Sequence, residues 1–277
     1  MATVVCQQLA PRIGDLRFNR ELSTRAIAEA VAAGADLVVL PELVTSGFAF
    51  ESKREAEAVA IELDDPLLDD WTAAAAGRAV VVGGFCERGE GGELYNTAAL
   101  IAEAGGRHVH RKLQLWHEEK RIFTPGSEPP RVVEARVGRI GVLICYEAEF
   151  PELTRTLALD GAELLAVPTN WPLVDRPPGE RPPEVLIAQA TARVNRVAIA
   201  CCDRSGEERG QEWTAGTCIV DADGWVVAER DGSGMARADL DLAASRDKRV
   251  AGTADAFADR RPELYGRLTR PNPRTGA

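Results

Sequence analysis

The sequence predicts a layered α/β fold built on mixed sheets, and three observations carry that expectation. Short β-branched runs alternate with segments of helical period along most of the chain. Tight turns split "ALIAEAGGRHV", "VVEARVGRIGV" and "CIVDADGWVV", so each reads as a hairpin of antiparallel strands. No Pro/Gly/Ser-rich linker divides the apolar segments, so strands and helices belong to one body. Hairpins beside strand-helix units need sheets with both strand senses, which favours a layered sandwich over a barrel of parallel strands.

In chain order, "TVVCQQL" opens as a strand. "NRELSTRAIAEAVAAGA" sets Leu22, Ile27, Ala30 and Val31 at helical spacing and ends at Gly34, a stop signal. "DLVVLPEL", "AVVVGGF", "TAALIAEA" and "RHVHRKLQL" are further strands. "RIGVLICYE" leads into the helix "PELTRTLALDGA", which opens with Pro151 in the first turn and stops at Gly161. "ELLAVPTNW" is a strand, and the Pro-rich stretch from Pro177 to Pro183 forms a rim or lid before the helix "PEVLIAQATARVNR". "VAIACCD" and "GTCIVDADGWVVAER" supply the last strands. Beyond Leu242 the chain turns charged, so the expected organisation is a domain over 1–242 and a surface tail over 243–277. In that tail Phe257, Leu264, Tyr265 and Leu268 are candidates to pack on a partner subunit.

Composition narrows the function. The 277 residues are 45% apolar and 27% charged with net charge −10, enough for a sizeable core and too acidic to suggest nucleic acid as a partner. No apolar run reaches membrane-spanning length, and "MATVVCQQLAPRIG" lacks the basic and apolar regions of a secretory leader. The six cysteines (6, 86, 145, 201, 202 and 218) lie mostly in apolar runs without CxxC spacing, which indicates reduced thiols, a core role for the vicinal pair Cys201 and Cys202, and a cytoplasmic location. No phosphate-binding glycine motif is present, so no nucleotide cofactor is expected.

Three strand ends carry residues suited to chemistry. Cys145 stands between the strand "IGVLI" and the helix opening at Pro151, where a tight connection presents its side chain and nearby N–H groups favour a thiolate or an oxyanion. Read blandly, it is a small buried hydrophobe closing a strand. Glu42 follows a strand and Pro41, where burial is costly unless the carboxylate is paired; otherwise it is a strand-end acid facing water. Lys112 ends a strand between apolar neighbours, and is otherwise an edge lysine that blunts the sheet. Together they make a thiol nucleophile, a proton acceptor and a fixed cation for developing negative charge. Of the three histidines, His108 and His110 fit an exposed strand face; a zinc site with His117 lacks any completing ligand, so no metal is expected.

"LPELVTSGF" (40–48), "HRKLQLWHEEKRIFTPG" (110–126), "GVLICYEAEFPEL" (141–153) and "VPTNW" (167–171) resemble, in order and spacing, the motifs of the nitrilase superfamily of carbon-nitrogen hydrolases. The resemblance spans roughly residues 2–241. It implies an α-β-β-α sandwich and a triad of Glu42, Lys112 and Cys145. It also implies a second glutamate at Glu119, four residues before Phe123, with Glu118 the adjacent alternative. It further implies an oxyanion contact from the backbone of Tyr146, no metal or organic cofactor, and a homodimer or higher homo-oligomer whose tail reaches the neighbour.

The "CYEAEFPE" segment resembles the Cys-Tyr-Asp type of aliphatic amidases, with Glu147 in place of Asp and Gln114 where His is common. The expected activity is therefore hydrolysis of a small aliphatic primary amide. An N-carbamoyl amine hydrolase is second and a nitrilase third, and a binding protein that kept the fold without the chemistry is the alternative from another class. Phe48, Trp116 and Trp171 adjoin the motifs as pocket-wall candidates, or else as core. Glu149 is a candidate for a substrate amine, or else a structural acid near a helix start.

Overall fold

The chain begins inside a sheet. In the computed structural model, which describes residues 1–102 and 105–271, β1 (Ala2–Gln7), β2 (Leu37–Val39) and β3 (Val80–Arg88) run parallel. β4 (Leu94–Ile101) and β5 (Arg107–Arg111) fold back antiparallel and take the sheet to its edge. Residues 103 and 104, between these two strands in the chain, lie outside the described residues. Side chains alternate across this sheet. Val4, Cys6, Val39 and Val82 face inward, and Val5, Val38 and Val81 face outward.

The outward set is covered by helices. α1 (Leu16–Ala32) starts where the Asp15 side chain accepts the Phe18 N–H and ends before Gly34, whose φ of 87° suits glycine. α2 (Lys53–Glu57) is a single short piece, and α3 (Pro66–Ala75) lies beside α1. The sequence-based assignment omits α3, although "DDPLLDDW" carries its start signals: the Asp65 side chain accepts the Leu67 N–H and Pro66 occupies the first turn. Ile27, Ala30 and Val31 from α1 and Leu67, Leu68 and Trp71 from α3 pack onto the outward strand residues.

The second half repeats the plan. After α4 (Glu119–Ile122), β6 (Val132–Ala135) pairs antiparallel with β7 (Gly138–Val142). β7 runs parallel to β8 (Leu164–Pro168), and β8 to β9 (Ala198–Cys202). α5 (Pro151–Leu159) and α6 (Pro183–Asn195) form as the sequence predicts and cover the outer face. Gly141 lets α5 approach: a Cβ there would lie 2.9 Å from Leu165 and 3.1 Å from Leu157. A small hairpin of β10 (Glu207–Glu208) and β11 (Gln211–Glu212) precedes the antiparallel pair β12 (Cys218–Val220) and β13 (Val226–Glu229). β14 (Met235–Leu240) then returns to the first sheet and pairs antiparallel with β1.

Among the described residues the two six-stranded sheets run β14-β1-β2-β3-β4-β5 and β13-β12-β9-β8-β7-β6. Their inward residues form one cluster that joins Val4, Val39 and Val82 to Ile140, Leu164 and Ala200. The layers are therefore helix, sheet, sheet and helix, the expected α-β-β-α sandwich with mixed sheets. All six cysteines are unpaired and buried, Cys201 and Cys202 within the core.

The tail starts docked on its own domain. The Ser245 hydroxyl donates to the Glu163 carbonyl at 2.9 Å and Arg246 pairs with the Glu163 carboxylate. A hairpin of β15 (Arg249–Ala251) and β16 (Ala254–Asp255) follows, and the Phe257 ring meets the Lys248 ammonium at 4.8 Å and the Arg155 guanidinium at 5.2 Å. Leu264, Tyr265 and Leu268 are exposed, and residues 272–277 of the expected tail lie outside the described residues.

Trp71 is fully buried between α1 and the sheet and donates its indole N–H to the Ser23 hydroxyl at 2.9 Å. Trp71→Ala is expected to cost about 3–5 kcal/mol, read as a lower urea midpoint at unchanged slope, because the cavity cannot collapse against two rigid layers.

Candidate active site

The three strand ends singled out in the sequence meet at one end of the sandwich. Leu40, Pro41 and Glu42 follow β2, Lys112 follows β5, and Cys145 lies three residues beyond the end of β7. Glu42 and Lys112 are almost completely buried, so neither is a water-facing acid or an edge lysine. The Lys112 ammonium donates to Glu42 Oε1 at 2.6 Å and to Glu119 Oε2 at 2.8 Å. The Asn96 side-chain amide donates to Glu42 Oε1 at 2.7 Å and to Glu119 Oε1 at 2.6 Å. Glu119 also accepts the Trp116 N–H at 2.7 Å. Glu118 turns outward to Arg121, so Glu119 is the acid that joins the cluster.

One oxygen is left over. Glu42 Oε2 is buried and has no hydrogen-bond partner among the described residues, while Oε1 takes both donors. The carboxylate is thus fixed on one side and free to accept a proton on the other. Burial raises its pKa to about 7, with the Lys112 cation opposing and the Glu119 charge adding. Burial works against the Lys112 charge too, but Glu42 and Glu119 outweigh it and hold the ammonium above its ordinary value.

Cys145 occupies the left-handed region with φ of 50°, at the sharp step from strand to 3₁₀ turn (Cys145–Glu149). Burial pushes its thiol well above the ordinary value and the Glu42 charge pushes it further, while Lys112 and a hydrogen bond from the Asn170 backbone N–H act against them. The resting sulfur is a thiol that needs a proton acceptor to become a nucleophile. Tyr146 N–H lies in the first turn of that helix, where the backbone has no preceding acceptor within the helix.

Other residues of the site were not among the sequence candidates. Asn96 sits in the apolar strand segment "LYNTAALI", where a buried amide was the available signal. The Asn170 side-chain amide donates to the Glu42 carbonyl at 3.0 Å, and the adjoining Trp171 N–H donates to Asp203 Oδ1 at 3.0 Å. The histidines do not share an exposed strand face: His108 is exposed, but His110 is buried and pairs with the Glu147 carboxylate at 2.8 Å. His117 is exposed on a loop, so the three do not converge.

A cavity of about 310 Å³ has Glu119 on its wall with Phe48, Trp116, Phe123, Pro172 and Trp213. Phe48 meets Trp213 edge-on at 5.6 Å, and Tyr146 backs the wall by meeting Trp116 at 4.9 Å. Trp171 lies in the core behind the site, 4% exposed, and does not line the cavity. Glu149 is on the surface, its pKa raised by partial burial and by the neighbouring Glu184 charge, and it too is absent from the wall. Trp213 comes from "QEWTAG", far along the chain, so proximity in sequence could not reveal it. A larger cavity of about 1030 Å³, lined by Glu62, Arg88, Tyr95 and Arg111, holds none of the candidate residues.

The model of the carbon-nitrogen hydrolase family matches residues 3–249. A nitrilase of Pyrococcus abyssi is 33% identical over 96% of this chain and all of the relative. An (R)-stereoselective amidase of a Pseudomonas species is 34% identical over 95% of this chain and 92% of the relative. Among solved structures, the chain superposes on a variant of the Nesterenkonia sp. AN1 amidase in which acrylamide has added to the active-site cysteine. The TM-score is 0.78 at 27% identity, covering 97% of this chain and all of that one.

Lys112→Met leaves Glu42 and Glu119 buried without their shared cation. The expected cost is about 3–5 kcal/mol at pH 8. Burial already raises the Glu42 pKa and the Lys112 cation opposes that rise, so without the cation its folded pKa stands further above the unfolded one, and stability returns as pH falls and is lost as it rises. Urea unfolding at pH 5 and pH 8 should show a smaller gap from wild type at the lower pH.

Proposed function

The chain belongs to the carbon-nitrogen hydrolase family of the nitrilase superfamily, and we propose that it is a thiol amidase. Its substrate is a small, aliphatic primary amide, converted to carboxylic acid and ammonia through a thioester on Cys145. The observation that carries this is the buried, unbonded Glu42 oxygen whose charge acts on a protonated Cys145 thiol.

Glu42 accepts the thiol proton as the sulfur attacks the amide carbon. Lys112 Nζ and the Tyr146 N–H hold the oxygen that becomes negative. As the intermediate collapses, Glu42 returns the proton to the departing nitrogen and ammonia leaves. Water enters, Glu42 takes its proton, Glu119 helps to position it, and attack on the thioester releases the acid and restores the thiol. Because the sulfur need not ionise in advance, a raised thiol pKa does not hinder attack. The cation and the second glutamate keep Glu42 anionic enough to accept a proton and basic enough to keep it for the leaving group.

The enclosure supports a small substrate. Cys145 is only 7% exposed, and the cavity of about 310 Å³, which Glu119 borders, carries five aromatic rings on its wall. Arg209 at the rim already pairs with Glu55, which argues against a substrate carboxylate there. A deaminated glutathione amidase of Homo sapiens is 31% identical over 93% of this chain, so larger amides belong in the test. Six unpaired thiols support a cytoplasmic setting, and exposed Leu264, Tyr265 and Leu268 support a homodimer joined through the tail.

The test is ammonia release from matched short aliphatic amides, larger amides, N-carbamoyl amines and nitriles, with Cys145→Ala alongside wild type. Short amides are expected to give the highest kcat/KM and the variant no release; a preference for another class reassigns the substrate. With the preferred amide, kcat/KM should rise with pH through about 7, since Glu42 acts only as the carboxylate and is lost as a base below that pH. An acid limb centred near pH 4.5 would remove Glu42 from that role.

A further inference from the structure

Glu147 follows the nucleophile by two residues, is fully buried, and takes no part in the steps above. Its carboxylate accepts the Ile144 N–H on Oε2 at 2.7 Å and the Leu113 N–H on Oε1 at 2.7 Å. His110 Nε2 lies 2.8 Å from Oε2 and 3.1 Å from Oε1. Ile144 immediately precedes Cys145, and Leu113 immediately follows Lys112. One carboxylate therefore ties together the backbones on which the thiol and the ammonium are carried, although these belong to different sheets. His110, at the end of β5 and two residues before Lys112, completes the acceptor's set and keeps the carboxylate from swinging away.

We propose that Glu147, held by His110, is a positioning residue that fixes the distance between the Cys145 sulfur and the Lys112 ammonium. This rests on the reading of Cys145 as nucleophile and Lys112 as oxyanion donor. Two features point to distance rather than bulk stability. Cys145 has a left-handed backbone at φ of 50°, a conformation that persists only where surrounding contacts over-determine it, and the Ile144 N–H bond is such a contact. The sheets also meet here only through side chains, since β5 and β7 share no ladder, so a spreading of the two strand ends has no backbone pairing to resist it. A misplacement on the order of 1 Å between reacting groups can cost about a hundredfold in rate.

Glu147→Gln separates positioning from packing, because it keeps the volume. Each oxygen now serves one backbone N–H, so in either orientation the new amide nitrogen faces the Leu113 or the Ile144 N–H and one strand end is pushed off. The expected result is a fall in kcat of about a hundredfold with KM within about threefold. Glu147→Asp, which keeps two acceptors on a shorter arm, should recover part of it. His110→Gln, which keeps a donor at similar reach but on a flexible chain in place of a rigid ring, should lose about tenfold.

A second readout needs no substrate: alkylation of Cys145 by iodoacetamide, followed by mass spectrometry. It should slow in the Glu147→Gln and His110→Gln proteins in the same order. Should wild type be alkylated at Cys145 yet release no ammonia from any amide, the substrate reading fails while the alkylation rates still decide the positioning role. The role is overturned if folded Glu147→Gln keeps kcat and alkylation within threefold of wild type. It is equally overturned if losses merely track the fraction folded by circular dichroism. If Glu147→Gln does not fold, His110→Gln decides alone by the same two measures.

Discussion

A single ammonium in a dry place organises this molecule. Lys112 is sealed from water between Glu42 and Glu119, and burying any one of the three charges alone would cost more than a domain of this kind can spare. The trio is tolerable only as a unit, with Asn96 donating to both acids. That requirement dictates the architecture around it. The ends of β2, β4 and β5 must deliver their residues to one point, and the second sheet must close over it to exclude water. The chemistry uses the same enclosure: an acid raised to about 7 and a thiol held protonated are both products of burial.

The fold was legible because its signals are local. Hairpins at 132–142 and 218–229 have short turns that the chain shows directly, and the helices starting at Pro151 and Pro183 carry their own start residues. α3 carries such signals too, but its apolar pattern is brief. The reactive set was legible as types at strand ends, and family resemblance supplied Glu119. What stayed hidden was whatever depends on distant segments meeting. Trp213 reaches Phe48 from more than 160 positions away, and nothing beside Trp171 in the chain says that it turns inward. His110 looked like half of an exposed pair because alternation along an edge strand says which face a residue takes, not whether a buried acid waits opposite.

Arg204 and Glu208 show how the same logic extends to the pocket. This buried pair is closed by an ion contact of 2.8 Å, and Glu208 also accepts the N–H groups of Phe48 and Ala49. Arg204 lies 4.6 Å from the Trp213 ring. Gly47 makes the contact possible, since a Cβ at its φ of 80° would come within 2.7 Å of the Glu208 carboxylate. The aromatic wall is thus positioned by charge, and its shape is as fixed as the reactive centre behind it.

The return of β14 to β1 has a consequence for how the protein is made. Met235–Leu240 is the last strand of the two sheets, yet its partner is the first strand of the chain. During synthesis, β1 can pair with β2 as soon as residue 39 is available, but its other edge has no neighbour until nearly the whole domain has left the ribosome. For that interval a nascent chain displays an open row of backbone donors and acceptors flanked by valines. The molecule closes on itself last at the place where it started first, so a chain that stalls before residue 235 is left with a ready template for pairing with another copy.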